Sequence, residues 1–527
     1  MADRLPPELI SDVMSYNSDL VISPMNKETI RMDNQIFLGS KAFFLKKLYL
    51  ANFPVPPGFI LTTEVFRRRK AIQNHPDIKK EMDDLILSNL HKLEKLTGRQ
   101  FGNPLNPLLL SVRSGTAISM PGAMDTFLNV GMNDEFVEEL SKQPNFGWTS
   151  WDSYRRFIQS WGMAKGIARD EFDRIMIEYK TTYKVDLKMN FSPFHMRQIA
   201  MAYRELLEKR GVHFEQDLFQ QLLMSINSVF DSWSSKRAKV YREHLQIADE
   251  WGTAVIVQKM ILGNLNHNSG TGVIFTQNPN RERPGVHLYG DFTLCSQGED
   301  IVGGLVNTLP VGETQRTQQQ IKGQSLQTSL PDIYKRIYKI ATDMTENHGF
   351  SPQEIEFTFE SDNPDDLYIL QTRDQDMQKV NTIDVFNAPP DKMDLVGRGI
   401  GIGGGAMNGI LAFDLDDLVH FRQHVPNTPL ILVRPDTVPD DIGMIFECDG
   451  LLTAKGGATS HAAVTAVRLG KVCVVNCTDL HVNESHKNCT INGTVFRPGD
   501  KIAIDGHWGN LYKGNYPIET TEFKPGI

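Results

Sequence analysis

One histidine stands in the most chemically suggestive stretch of the chain, LLTAKGGATSHAAVTAVRLGKVCVV, residues 451–475. A strand-like run ends at Lys455, Gly456 and Gly457 turn the chain, and Thr459 and Ser460 can cap a helix opened by His461. The N–H groups at that end of a helix favour anions. Neutral imidazole is also a competent nucleophile near neutral pH, and a phosphoryl group on it would be held by those amides and both hydroxyls. A structural histidine at a helix start has the same local pattern.

Three other segments could handle phosphate. In SVRSGTAISMPGAMDTFLN (111–129) a strand delivers Arg113, and small residues from Ser114 and Gly115 through Met120, Pro121 and Gly122 form a loop ahead of Asp125 and Thr126. Such a loop lets backbone N–H groups approach phosphate oxygens while a guanidinium supplies two-pronged charge; an ordinary surface loop is the alternative. In LGSKAFFLKKL, Lys41 follows Gly39 and could reach a nucleotide phosphate, or be a solvated lysine. If EIEFTFE and LYILQTRDQ are adjacent antiparallel strands, Glu354 and Glu356 share one face and Gln371 and Arg373 can lie opposite. Oxygen ligands with one cation suit Mg²⁺ and a triphosphate; a cross-strand Glu–Arg pair is the plain alternative.

Two familiar phosphate signatures are excluded. GxxxxGK[ST] does not occur. Gly399, Gly401 and Gly404 match GxGxxG, but the strand-like NGILAFD follows where a helix is required, so these glycines are assigned to a tight turn or backbone crossing.

The elements that must position these groups alternate in texture. LLLSVRS (108–114), AVIVQKMI (254–261), IEFTFE (355–360) and LYILQT (367–372) read as strands. Residues from about 130 to 250 read as helical. Ser192 caps a helix with Pro193 first and Gly211 beyond its end, and Met196, Ile199, Tyr203 and Leu206 form its apolar face. Phe219, Leu222, Ile226, Val229 and Trp233 repeat that pattern. Residues 1–35 read as a polar extension, 376–393 as a linker containing Pro389-Pro390, and 513–527 as a tail. Between linker and tail a unit of small-domain size, 394–512, has strands at 429–435, 471–477 and 501–506 and a helix near 461–468.

A chain of 527 residues with 40% hydrophobic and 23% charged residues is globular and multidomain rather than disordered. A net charge of −9 argues against nucleic acid as the main partner. No apolar run is long enough to span a membrane, the start lacks a signal core, and five cysteines make no disulfide framework. These features lead to the expectation of a cytoplasmic protein, with Cys473 and Cys477 as buried strand residues.

The segments LGSKAFFLKKL, PVPPGF, SVRSGTAISMPGAMDT, WDSYRRFIQ, VQKMILGN, SGTGVIFTQNP, SQGEDIVGG, EIEFTFE, LQTR and TAKGGATSHAA together resemble the pyruvate, phosphate dikinase and phosphoenolpyruvate synthase family, in family order across about residues 36–515. The resemblance implies an α/β multidomain fold: an ATP-grasp domain over 1–375 with a helical subdomain at 130–250, a hinge at 376–393, and a swivelling β/α phosphohistidine domain over 394–512. It implies that ATP and Mg²⁺ are used and that His461 is phosphorylated with release of AMP, supported by Thr459, Ser460 and Lys455. Lys41, Arg113 and the 114–122 loop would hold ATP, with Asp125, Thr126, Gln258, Met260, Glu299 and Arg373. Glu354, Glu356 and Gln371 would serve the metal, and Arg155 or Arg156 inorganic phosphate.

The sequence departs from the family at Ser40 and Ala42, where Gly is common, and at Gln277 and Lys455, where Arg is common; Lys455 loses two-pronged geometry. The family's C-terminal barrel, which binds pyruvate or phosphoenolpyruvate, has no counterpart in these residues. The acceptor is therefore expected to be a small hydroxyl compound such as a phenol, as in the split relative phenylphosphate synthase. Its site would come from a partner subunit or another surface, and an oligomer is compatible with this. A dikinase with its barrel in trans and a non-catalytic ATP-binding regulator are the alternatives.

Overall fold

The computed structural model describes residues 17–278, 285–298, 300, 308–319, 321–375, 382–438 and 441–522. The chain forms two compact units: Met1–His267 with Tyr368–Gln371, and Asn268–Leu367 with Thr372–Ile527.

The first unit is built on an antiparallel five-stranded sheet, ordered Ile22–Pro24, Gly58–Leu61, Ala254–Lys259, Leu110–Gly115 and Thr126–Val130. Its first strand lies in the stretch expected to be a featureless extension; three residues are too few to show periodicity. Helices fill the interval from Asp134 to Leu245, as the sequence pattern predicts. Pro193–Lys209 shows why. The Ser192 side chain accepts from the His195 N–H at 3.2 Å, Pro193 occupies the first turn, and Gly211 lies beyond the end at φ +67°. Met196, Ile199, Ala200, Tyr203 and Leu207 are buried along one face, while Leu206, expected there, is half-buried. Met196, Ile199 and Leu207 each contribute up to about 1.5–3 kcal/mol of apolar burial. The neighbouring helix Gly147–Ala164 adds Tyr154, Phe157 and Trp161, whose rings meet Phe214 edge-on at 5.6–5.8 Å.

In the second unit, Gln353–Phe359, Gly270–Phe275, Tyr289–Leu294 and Leu309–Pro310 make an antiparallel sheet, with the end of Leu367–Asp374 beside the first. An eight-stranded sheet holds the rest of the core. Its centre is parallel: Ala406–Ala412, Leu430–Arg434, Gly450–Thr453 and Val472–Val475. These strands are apolar at almost every position because both faces are covered; Leu430 and Leu432 enter one hydrophobic cluster, Ile431 and Val433 the other. The rejected dinucleotide glycines serve backbone crossings: a Cβ on Gly399 would lie 2.5 Å from the Val475 carbonyl oxygen, and one on Gly401 2.6 Å from that of Gly506.

The linker and the tail differ from their sequence readings. Residues 376–381 lie outside the described residues, but Thr382–Phe386 and Ile518–Glu522 pair as an antiparallel two-stranded ribbon. Their mixed polar and β-branched composition masks a pairing more than 130 positions apart. Cys473 is a buried strand residue as expected, Cys477 is buried just past that strand, and all five cysteines are free.

Candidate functional site

In the first unit, Arg113 sits on Leu110–Gly115, buried, with its Nη2 donating to Gln258 Oε1 at 2.5 Å. The Gln258 amide nitrogen donates in turn to the Pro56 carbonyl at 2.6 Å. The Gln258 carboxamide thus orients Arg113; its expected place along an adenine does not account for these bonds. Met260 is buried, its N–H bonded to the Leu109 carbonyl at 2.9 Å.

Lys41 is half-buried in the first turn after a break. The helix Gln35–Leu50 is interrupted at Gly39, whose φ of 72° and ψ of 160° are essentially restricted to glycine. A Cβ there would stand 2.2 Å from the Gly115 carbonyl oxygen, and Ser40 N–H bonds the Thr116 carbonyl at 2.8 Å. Two glycines therefore bring the Lys41 turn against the start of the 114–122 loop. Downstream, Met120, Ala123 and Met124 are buried, Gly122 takes φ +68°, and Asp125 pairs with Arg237 at 3.0 Å while its N–H bonds Ser232 Oγ at 3.1 Å. Ser114, Pro121 and Thr126 are half-buried.

Arg155 and Arg156 lie in a buried ion-pair cluster. Both are buried on Gly147–Ala164 and turn to the fully buried Asp152, at 2.8 and 2.9 Å, joined by Lys188 at 3.2 Å and the Asn264 amide at 2.9 Å. Burial opposes ionisation of Asp152, but Arg156, Lys188 and Arg155 outweigh it and hold the carboxyl well below the ordinary range. Sequence reading missed this acid, although its i, i+3 and i+4 spacing to the two arginines is a signal. It also missed buried Lys46, which bonds Asp33 at 2.6 Å and Ser23 and Thr29 at 2.8 Å each.

In the second unit, Glu354 is buried and pairs through both oxygens with Arg373, one contact at 2.8 Å; Glu356 is half-buried on the same strand face. The Glu–Arg pair given as the plain alternative is thus present. Gln371, a buried residue grouped with the first unit, lies two positions before Arg373. Glu299 lies outside the described residues. Among the described residues no group of three or more His, Cys, Asp or Glu could hold a metal. Oxygen-only donors still fit Mg²⁺, which takes one or two carboxylates and completes its shell with phosphates and water.

His461 opens the helix His461–Arg468 between the parallel strands Gly450–Thr453 and Val472–Val475; its side chain is outside what is described. The Ser460 hydroxyl caps the helix by accepting from Ala463 N–H at 3.4 Å, and Lys455 is exposed at the turn. Thr459 does something the sequence did not announce: its N–H and hydroxyl both donate to Asp291 Oδ2, each at 3.1 Å. Asp291 comes from Tyr289–Leu294 and is buried. That burial raises its pKa to about 6 against the hydrogen bonds of Thr459 and Ala458. An acid within a buried strand was the available signal. A cavity beside it is lined by Phe275, Tyr289, Glu354, Arg373, Ala463 and Val467.

One unit thus presents a glycine-rich loop with a buried arginine, and the other a histidine at a capped helix start: an α/β architecture for phosphate chemistry. Residues 69–328 match the family "Pyruvate phosphate dikinase, AMP/ATP-binding domain", and residues 426–509 match "PEP-utilising enzyme, mobile domain". The chain belongs to the pyruvate, phosphate dikinase and phosphoenolpyruvate synthase family. Among its relatives is a pyruvate, phosphate dikinase of Clostridium symbiosum, 34% identical over 520 residues, 92% of this chain and 57% of that protein. Others are that of Rhizobium meliloti (strain 1021), 33% identical over 513 residues, 91% and 56% of the two chains, and the chloroplastic enzyme of Flaveria pringlei, 34% identical over 516 residues, 92% and 52%. The chain spans about half the length of these relatives. Among the described residues no helix is long and apolar enough to cross a membrane.

Proposed function

We propose that this protein is an ATP-dependent, dikinase-type phosphotransferase working through a phosphohistidine at His461, in the cytoplasm. The observation that carries the reading is the Ser460-capped turn that places His461 at a helix start within the stretch matched as the mobile domain. An imidazole nitrogen of His461 would attack the β-phosphorus of ATP, breaking its bond to the AMP oxygen. Phosphate or water would then remove the terminal phosphoryl group.

Lys41 and Arg113 would hold the phosphates, Gln258 keeping Arg113 in place, with the 114–122 loop over them and Met260 along the adenine. Glu354, Glu356 and Gln371 are the proposed oxygen donors for Mg²⁺, which when bound neutralises phosphate charge. Arg373 would add charge at the phosphates. The remaining phosphohistidine would pass to a small hydroxyl compound such as a phenol, at a site from a partner subunit or another surface. One histidine serving two sites requires motion about 376–393. Proline substitutions there, placed outside the paired Thr382–Phe386, are expected to spare ATP binding and suppress transfer; unchanged turnover would sink the swivel.

The test of the chemistry is AMP release together with an acid-labile phosphoryl adduct mapped by mass spectrometry to residue 461. AMP formation that survives in His461→Ala would refute it. The match to pyruvate, phosphate dikinases favours a second reading, with pyruvate as acceptor. Pyruvate-dependent AMP release, alone or with a co-purifying barrel protein, would select it.

A further inference from the structure

The Asp291–Thr459 contact lies outside every role assigned so far, and it joins the sheet that carries Glu354 to the turn that carries His461. Asp291 Oδ2 accepts both the N–H and the hydroxyl of Thr459, two positions before the histidine and one before the residue that caps its helix. Gly457 completes the contact. A Cβ there would lie 2.4 Å from Asp291 Oδ2 and 2.7 Å from Thr308 Oγ1, so no side chain fits while the turn rests on this strand. Gly456, by contrast, needs glycine for its own φ of +96°. Gly457 has no such requirement, so its missing side chain is demanded by the approach of Asp291 and Thr308.

We propose that Asp291 is a positioning residue: a latch that seats the His461 turn on the nucleotide-side sheet for the ATP half-reaction and must let go for the acceptor half-reaction. The inference rests on the phosphohistidine reading. A carboxylate is suited to this task because it accepts two hydrogen bonds at one oxygen, yet its burial keeps the contact from becoming permanent. Thr459 is therefore committed to the latch in the seated state, leaving Ser460 as the cap.

Three variants separate the latch from the fold. Asp291→Ala removes the acceptor, Asp291→Asn keeps one without charge, and Gly457→Ala adds a methyl group that only the seated turn excludes. With β-labelled ATP and Mg²⁺, Asp291→Ala and Gly457→Ala are expected to slow labelling of the protein by on the order of tenfold or more, the scale of losing a charge-assisted hydrogen bond. Binding of a non-hydrolysable ATP analogue should stay within about twofold, because the nucleotide groups are untouched. Asp291→Asn should restore most of the labelling rate, which a packing defect would not do. Labelling at the wild-type rate in Asp291→Ala or Gly457→Ala overturns the latch.

Hydrogen exchange over residues 456–463 reads seating without any chemistry. Protection present in the wild type should fall in Asp291→Ala and Gly457→Ala and persist in Asp291→Asn. If the wild type takes no label, the phosphohistidine reading fails, and exchange still decides the contact. Equal protection in all four proteins overturns it.

Discussion

Asp152→Asn is the perturbation whose outcome the structure specifies most fully. The acid is completely buried and is approached by Arg155, Arg156 and Lys188, three cations around one carboxylate. An asparagine of the same shape keeps some hydrogen bonds but leaves the guanidinium groups without their buried counter-charge. Removing one partner of a buried pair costs about 3–5 kcal/mol, a large share of the roughly 5–15 kcal/mol typical of a domain. Urea denaturation followed by the tryptophans of the same helix would measure it. Arg155→Met tests the assignment further, since the double mutant should recover roughly 1–3 kcal/mol of the summed losses. The pH dependence has a definite sign. The folded-state pKa of Asp152 is depressed, so its stabilisation is full above the unfolded value of 3.8 and is lost only as pH falls through a folded value well below it. A loss under about 1 kcal/mol on Asp152→Asn would refute this account. So would an Arg155→Met protein of native stability that had lost only its response to inorganic phosphate.

Gly39→Ala forces a residue with a Cβ into a backbone state costing about 1–3 kcal/mol and against the Gly115 carbonyl 2.2 Å away. It should weaken ATP-analogue binding at least about tenfold in protein that remains folded; unchanged affinity would separate the Lys41 turn from the nucleotide. Burial raises Asp291 from 3.8 to about 6 in the folded protein, so its contribution to folding stability is full below 3.8 and falls, by on the order of 3 kcal/mol, as pH climbs to about 6. Urea denaturation across that pH range should show this fall in wild type and not in Asp291→Asn.

Much of the molecule was legible in local pattern. Ser192-Pro193 and the stripe from Met196 define a helix wherever they occur, and the β-branched runs around Val112, Ile256 and Val474 are strands in the structure. The helix start at His461 and its Ser460 cap follow from residues that touch one another along the chain. What escaped depended on distant partners. Asp291 and Thr459 are 168 positions apart, and Thr382–Phe386 finds its pair in a segment that reads as a tail. The family resemblance puts Arg155 or Arg156 at inorganic phosphate, while the burial of Asp152, which both engage, is not visible in the sequence. Gln258, expected at the nucleotide from the resemblance alone, bonds Arg113 and the Pro56 carbonyl, partners far from it in sequence.

The most direct test of phosphotransfer through His461 is label retention from ATP carrying the label at either the β or the γ position, with and without inorganic phosphate. The account predicts an acid-labile β-label on the wild-type protein, lost in His461→Ala, and a γ-label that is discharged to phosphate or water. A stable γ-label without any β-label would contradict dikinase chemistry and leave a simple histidine kinase on the same fold.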